Sequence, residues 1–482
     1  MNAAVRGGLL RRHRDFRLLW CGETAGKFGA SVTKVAMPLI AVSVLHASTF
    51  EIGLLTAAGW APWLVIGLPV GVWVDRMRRR PIMLAAAAVS FVLFAAVPVA
   101  VGAGLLSFGL LLAVALLTGT AAVFFQTAYT AYLATLLEPV DQPEGNAKLH
   151  GSASAAQIAG LSSGGVIAQF AGAVNGMFAN AATFLVSLLC LSGIRHAEPR
   201  TAARPLRGIE PARGAGSTPG TEPISGTEPV SGTEPVSGTE PTGAATASER
   251  SRGALVGELA EGLRLVAGDP WLRTLTLFGS ASNLALMGYQ SINVVFLVKT
   301  VGLSSGAVGA LVAAAGAGGV AGAFAARRVA VRVGTARATL LFELGLALFA
   351  LLIPLTTDGV GVLFFVAGGF CVSAGVVAGN VVKASFQQRY CPPELLGRLT
   401  ATTSFLNYGT IPLGALLGGA LGTALGLRAA MWITTAGIPL AALILLFSPI
   451  RRSRDLPTSR RRTRPESNGS QGPVPEPTSS PG

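Results

Sequence analysis

Apolar residues in this chain come in long runs, bounded by charged or turn-forming residues. The runs fall at 17–45, 52–74, 81–102, 105–137, 147–171, 173–194, 271–299, 304–326, 337–357, 360–385, 395–424 and 428–449. A helix that crosses a bilayer needs about 20 mostly apolar residues, so the pattern predicts an all-α membrane protein of twelve transmembrane helices, six before an interruption and six after it.

Composition agrees. Of 482 residues 51% are hydrophobic and 12% charged, about half the charged share of an ordinary soluble protein. The 61 glycines suit helices that pack closely within a membrane, and no Gly-X-Y period marks a collagen. Cys21, Cys190, Cys371 and Cys391 form no CxxC pair and the four histidines stand apart, so neither a zinc site nor a disulfide framework is predicted.

The net charge of +14 does not form a nucleic-acid footprint, because the arginines cluster between and beside the apolar runs. Under the positive-inside rule the N-terminus, the 75–80 loop, the 195–270 segment, the 327–337 and 386–398 loops and the tail lie in the cytoplasm. The alternate loops, near His46, Gly104, Gly172, Ser304, Asp358 and Gly426, are short and nearly uncharged. Both termini are thus expected inside. The basic start followed by an apolar run has no small-residue cleavage site, and is expected to remain as the first span.

The interruption has its own character. TEPISG, TEPVSG, TEPVSG and TEPTG begin at Thr221, Thr227, Thr233 and Thr239; a proline in every unit blocks helix and little apolar surface is available for a core. The expected organisation is a six-helix bundle over 1–195, a disordered linker over 196–254, a second bundle over 255–450 and a disordered basic, proline-rich tail over 451–482. Leu255, Val256, Leu259, Leu263 and Val266 recur at helical spacing and predict a short surface helix before span seven.

The halves look duplicated. The segment from Gly71 to Arg76 finds an echo from Gly322 to Arg327, and the small-residue run from Ser163 to Gly172 another from Leu413 to Gly422. A module used twice, related by an axis along the membrane normal, places a substrate site near the midplane between the halves.

Charged groups inside the runs are the sharpest site signal. Glu23, Lys27 and Lys34 fall within about 40° of one another on a helical wheel. Such charges must pair or face water, so Glu23 and Lys27 are expected to bond and the stripe to line a cavity; a structural ion pair holding span one to a neighbour stays open. Gln126, Asn283, Gln290, Asn293 and Asn407 could hydrogen-bond a substrate, with helix-to-helix bonding the alternative for each. Lys299 and Lys383 are expected to reach for water at span ends, with Glu343 near the interface.

The loop from Gly71 through Asp75, Arg76, Arg78, Arg79 and Arg80 to Pro81, the segment from Phe124 to Leu133, and Leu396 to Arg398 followed by Pro412 to Gly414 together resemble the major facilitator superfamily, in the drug and siderophore efflux branch that includes macrolide and enterobactin exporters. The resemblance implies that Gly71, Asp75, Arg76, Arg79 and Arg80 form a conformational latch. Asp75 would sit at the positive start of span eleven near Gly397 to Thr400, and the arginines would pair with carboxylates or lipid phosphate. For Arg78 to Arg80 a purely topological role remains open.

The chain also departs from that family. Ala30, Gln126 and Asn180 stand where the branch usually has an acid, Ala87 and Ser90 where it has an Asp and an Arg, Gly160 to Ser162 in place of a Gly-Pro element, and Arg78 in place of Gly. Candidates for proton exchange reduce to Glu23 and, second, Glu343.

The expected function is therefore secondary active efflux of a bulky amphipathic small molecule by alternating access, with proton antiport. An importer or facilitator of the same fold is the alternative, and a non-transporting receptor the alternative of another class. No paired catalytic groups or phosphate-binding loop point to an enzyme or an ATP-driven pump. No cofactor beyond the proton gradient is expected. Partners are the small-molecule substrate and membrane lipid, with no nucleic acid, and the chain is expected to be a monomer in a bacterial plasma membrane.

Overall fold

The computed structural model of the chain describes residues 9–138, 140–195, 257, 260–391 and 393–457, and among them there is no strand. The TEP repeats of the expected linker lie outside the described residues. The long helices are α1 (Arg14–Ser43), α2 (Thr49–Val65, continued by Gly67–Arg76), α3 (Arg79–Gly102), α4 (Phe108–Leu136), α5 (Gln142–Phe170) and α6 (Ala173–Ser192). They are followed by α7 (Pro270–Val295), α8 (Ser305–Val333), α9 (Thr335–Leu355), α10 (Val362–Tyr390), α11 (Pro393–Leu425) and α12 (Leu427–Leu446).

Among the described residues, nine helices are long and apolar enough to cross a membrane. The exceptions are α1, α2 and α5. Polar residues account for α1, which carries Glu23, Lys27 and Lys34, and for α5, which carries Lys148, Gln157 and several serines. In α2 the cause is a break at Ile66 that leaves 17 residues in the longer piece. Pro69 explains the break: it has no N–H to give the Val65 carbonyl and its ring crowds that carbonyl.

The helices meet at two kinds of end. Turns at the end opposite the arginine clusters contain His46, Gly104, Gly172, Gly302, Gly359 and Gly426, all with positive φ, a tight reversal that the five glycines make without strain. These turns coincide with the short loops predicted from charge. The opposite, basic end carries the Met77–Arg78 loop and Arg327, Arg328 and Arg332 at the end of α8. At the start of α2, Ser48 and Glu51 form a capping box in which the Ser48 Oγ accepts from the Glu51 N–H at 3.2 Å and a Glu51 carboxylate oxygen accepts from the Ser48 N–H at 2.7 Å. Two of the orphan donors of that helix are satisfied.

Packing follows a twofold pattern, as the duplication predicts. α1 packs on α5 and α6 as α7 does on α11 and α12; α3 packs on α4 and α6 as α9 does on α10 and α12; α2 packs on α4 as α8 does on α10. The halves join through α2 on α11 and α5 on α8. Glycine makes both junctions possible. A Cβ on Gly53 would lie 2.6 Å from the Ala415 carbonyl oxygen, and one on Gly165 would lie 2.4 Å from the Cα of Gly309, so any side chain there would force the backbones apart.

Residues 260–268 form the helix expected before span seven. Of its predicted apolar stripe Leu263 is exposed and Val266 is buried against the C-terminal half, while Leu255, Val256 and Leu259 lie outside the described residues. Asp269 then caps α7, accepting from the Trp271 and Leu272 N–H groups at 3.0 and 3.2 Å. At the other end of this half, residues 451–457 lie against the 8–9 turn. Asp455 accepts from the Thr335 N–H at 2.8 Å, and Leu456 is buried.

Candidate functional site

Among the described residues, the buried apolar clusters join the two halves at the far end and stay separate at the basic end. At the far end one cluster joins Val35, Leu39, Leu161 and Ala168 of the N-terminal half to Tyr289, Ile292, Val308 and Met431 of the other. At the basic end two clusters are separate, one around Phe16, Val74 and Tyr132, the other around Phe278, Phe386 and Leu445. Burial of apolar surface therefore holds the halves together on the side away from the arginines. On the basic half of α5, Gly151, Ser154 and Gln157 are exposed.

The α1 stripe sits in this divided region. Glu23 is 8% exposed, and the Lys27 ammonium lies 3.2 Å from its Oε1 and donates to the Gln126 Oε1 of α4 at 3.4 Å. The i,i+4 spacing that the sequence displays is what lets the carboxylate and the ammonium meet. Further along α1, Ala30 and Lys34 are exposed. On another face of α1, Asn180 of α6 donates to the Thr33 hydroxyl, and Gly29 leaves room for Thr183. Asn180 thus ties two helices together at a position where the resemblance led to expectation of an acid.

The amides on α7 and α11 divide in a similar way. Asn283 donates to the Asn407 carbonyl at 3.2 Å, and Ser280 donates to the Asn407 side-chain oxygen at 3.2 Å. These two candidates bond helix to helix. Asn293 is buried, and its Oδ1 lacks a hydrogen-bond partner among the described residues. Gln290 is exposed. Between the halves Tyr408 of α11 packs on Trp63 and Trp60 of α2, with ring centroids 5.5 and 6.2 Å apart.

The Arg80 Nε and a terminal nitrogen donate to the Leu191 and Ser192 carbonyls at 3.3 and 2.7 Å. It occupies the negative end of α6, where a cation is favoured. The side chains of Asp75 and Arg76, and those of Leu396 to Arg398, lie outside the described set. The Gly67–Arg76 helix that carries Asp75 does touch α11, and a Cβ on Gly71 would meet nothing within 4 Å.

Lys299 donates to the Ala47 carbonyl at 3.3 Å, pinning the far end of α7 to the turn after α1. Glu343 is 5% exposed and lies 2.8 Å from the Lys383 ammonium, itself 18% exposed. Sequence spacing offered no signal for this pair, because its members are on different helices.

Comparison with known proteins decides the family. The model of the Major Facilitator Superfamily matches residues 19–411 and 275–478. The chain belongs to this superfamily. This major facilitator protein is a multi-pass membrane transporter and not an enzyme. It is 27% identical over 453 residues to the multidrug efflux pump Tap of Mycolicibacterium fortuitum, covering 91% of this chain and 96% of that protein.

Among solved structures it resembles the nucleoside transporter NupG, with a TM-score of 0.67 at 8% identity over 91% of this chain and 99% of that one. It also resembles a bacterial homologue of the iron transporter ferroportin in an inward-facing state, with a TM-score of 0.63 at 14% identity over 92% of this chain and 99% of that one. At these identities the structural likenesses concern the fold.

Proposed function

We propose that this major facilitator protein exports a bulky amphipathic small molecule by alternating access, with proton antiport supplying the drive. The observation that supports the reading is the divided core: among the described residues, the halves share a large apolar cluster at the far end and none at the basic end. With the arginine-rich end in the cytoplasm, this is a state open to the inside. The likeness to a multidrug efflux pump over nearly the whole chain supports export.

In this reading twelve helices cross a bacterial plasma membrane, both termini are cytoplasmic and the protein acts as a monomer without a cofactor. The three helices that fall short of an apolar span, α1, α2 and α5, cross within the bundle, where polar groups can face water or one another. The Gly71 to Arg80 loop acts as the latch between states, with Arg80 contributing through its cap on α6. Glu23 and Lys27 form the coupling pair.

Lys27 and Lys34 also bear on the substrate. Two ammonium groups on one stripe repel a cationic solute and favour a neutral or anionic one. Gln126 and Gln290 are the polar groups offered to it.

Inverted membrane vesicles containing the full chain provide the test. Nile red, a neutral fluorescent amphiphile, is expected to accumulate inside them when the interior is acidified, and Lys34→Glu is expected to shift preference toward a cationic dye. Accumulation only in right-side-out vesicles would mark an importer, and gradient-independent movement in both orientations a facilitator.

A further inference from the structure

Lys383 brings three helices of the C-terminal half together. Its ammonium lies 2.8 Å from Glu343 Oε1 on α9 and 4.9 Å from the centre of the Phe278 ring on α7. The backbone on both sides is shaped around the carboxylate. On α10 a Cβ at Gly379 would fall 2.0 Å from Glu343 Oε1, so only glycine leaves the side chain its place. On α9, Glu343 is the central residue of a π turn over Leu341–Gly345, set between the α-helical Thr335–Leu340 and the 3-10 segment Ala347–Leu355. Single π turns in otherwise regular helices recur at functional positions.

The charge around Glu343 is sparse. α10 contributes Lys383 and, near its basic end, Arg389, which donates to the Ser385 carbonyl; α12 has no charged residue beyond Arg428, which donates to the Thr356 carbonyl at the far end. The charges of α7, Arg273 and Lys299, lie toward its two ends, Arg337 lies near the basic start of α9, and Asp269 and Tyr390 bond to each other at 2.6 Å. One ammonium therefore balances one buried carboxylate. A pair with only a structural role would be replaceable by apolar packing at little loss, and ionisable groups at membrane depth are retained for ion or proton pathways. Glu343 also lies as far from the start of α9 as Ala87 lies from the start of α3, so the C-terminal half places an acid where the N-terminal half has none.

We propose that Glu343 is a proton-binding site of the C-terminal half, with Lys383 as its counter-charge and its connection to water. This deepens the antiport reading and rests on it. Glu343 takes a proton from water on one side of the cycle and becomes a neutral carboxyl. The Lys383 ammonium, more exposed than its partner, then loses its carboxylate and turns toward water; return of the proton to water re-forms the pair. Because Lys383 also contacts Phe278, breaking the pair frees α9 and α10 to move against α7.

The test uses the full chain reconstituted in liposomes. Infrared spectroscopy of the protonated-carboxyl stretch should show a band that rises reversibly on acidification in the wild type and in Glu23→Gln, disappears in Glu343→Gln and moves to higher pH in Lys383→Gln. Glu343→Gln should lower gradient-driven accumulation of Nile red at least about tenfold, while counterflow exchange, which needs no net proton movement, persists. Should Glu343→Gln fold poorly, Glu343→Asp must still shift the titrating band. An unchanged band in Glu343→Gln, or undiminished gradient-driven accumulation, overturns the proposal. If the Glu343 band titrates but the wild type shows no gradient-driven transport, the antiport reading fails and the proton site stands.

Discussion

Gly165 on α5 and Gly309 on α8 face each other so closely that a Cβ built on either would lie within 2.4 Å of the other's Cα. The pair lies toward the far-end contact between the halves. Gly309→Leu is expected to pry that junction open and favour the opposite state of the transporter. Labelling of single cysteines placed near Gly165 should then increase from the far side, and transport should fall by about tenfold or more, because a bias of about 1.4 kcal/mol changes the population ratio tenfold. Unchanged accessibility would show that the contact does not gate the far end.

The Glu23–Lys27 pair makes a different prediction. Lys27→Ala leaves a carboxylate that is 8% exposed without its ammonium. Because Lys27 itself is partly exposed, the cost should stay below that of a fully buried pair, about 1–3 kcal/mol. Thermal unfolding in detergent should show the loss for Lys27→Ala and a partial recovery for the double variant Glu23→Gln, Lys27→Ala. Equal melting of the single and double variants would count against coupling between the two groups.

Arg80→Ala removes two charge-assisted bonds to the end carbonyls of α6. The expected cost is about 1–3 kcal/mol, expressed as a lower melting temperature and faster proteolysis near Ile194. A loss of transport with no loss of stability would instead return Arg80 to a latch role of its own.

Asp455→Ala should weaken the start of α9. Its carboxylate accepts from the Thr335 N–H and hydroxyl, and loss of such a cap costs about 1 kcal/mol. Truncation after Arg452 should have the same sign and a larger effect, since Leu456 is buried against this half. Melting curves of the two variants check it.

The residues divide by how far apart in sequence their partners lie. Glu23 and Lys27 meet because a helix puts fourth neighbours on one face, and that rule needs no knowledge of the fold. Six of the seven positive-φ turns fall where loss of charge and of hydrophobic runs had marked short loops, the seventh, Gly334, lying in the basic loop before α9. Asn283 and Asn407 shared no local spacing, so their mutual bonding was not visible until α7 and α11 were packed. The bonds of Arg80 to the end of α6 were hidden for the same reason, since in sequence it belongs to a basic loop.

What the amino-acid order determined by itself was the helical membrane class, the duplicated halves, the basic side and the polar stripe of α1, because each depends on periodicity, run length or charge placement within a few turns. The tertiary structure alone showed where buried apolar clusters join the two halves, that α2 and α5 meet α11 and α8 through glycine, and that Glu343 and Lys383 form a buried ion pair. Those outcomes depend on contacts between distant segments, where a missing Cβ or a single turn of helix rotation decides which side chains can touch.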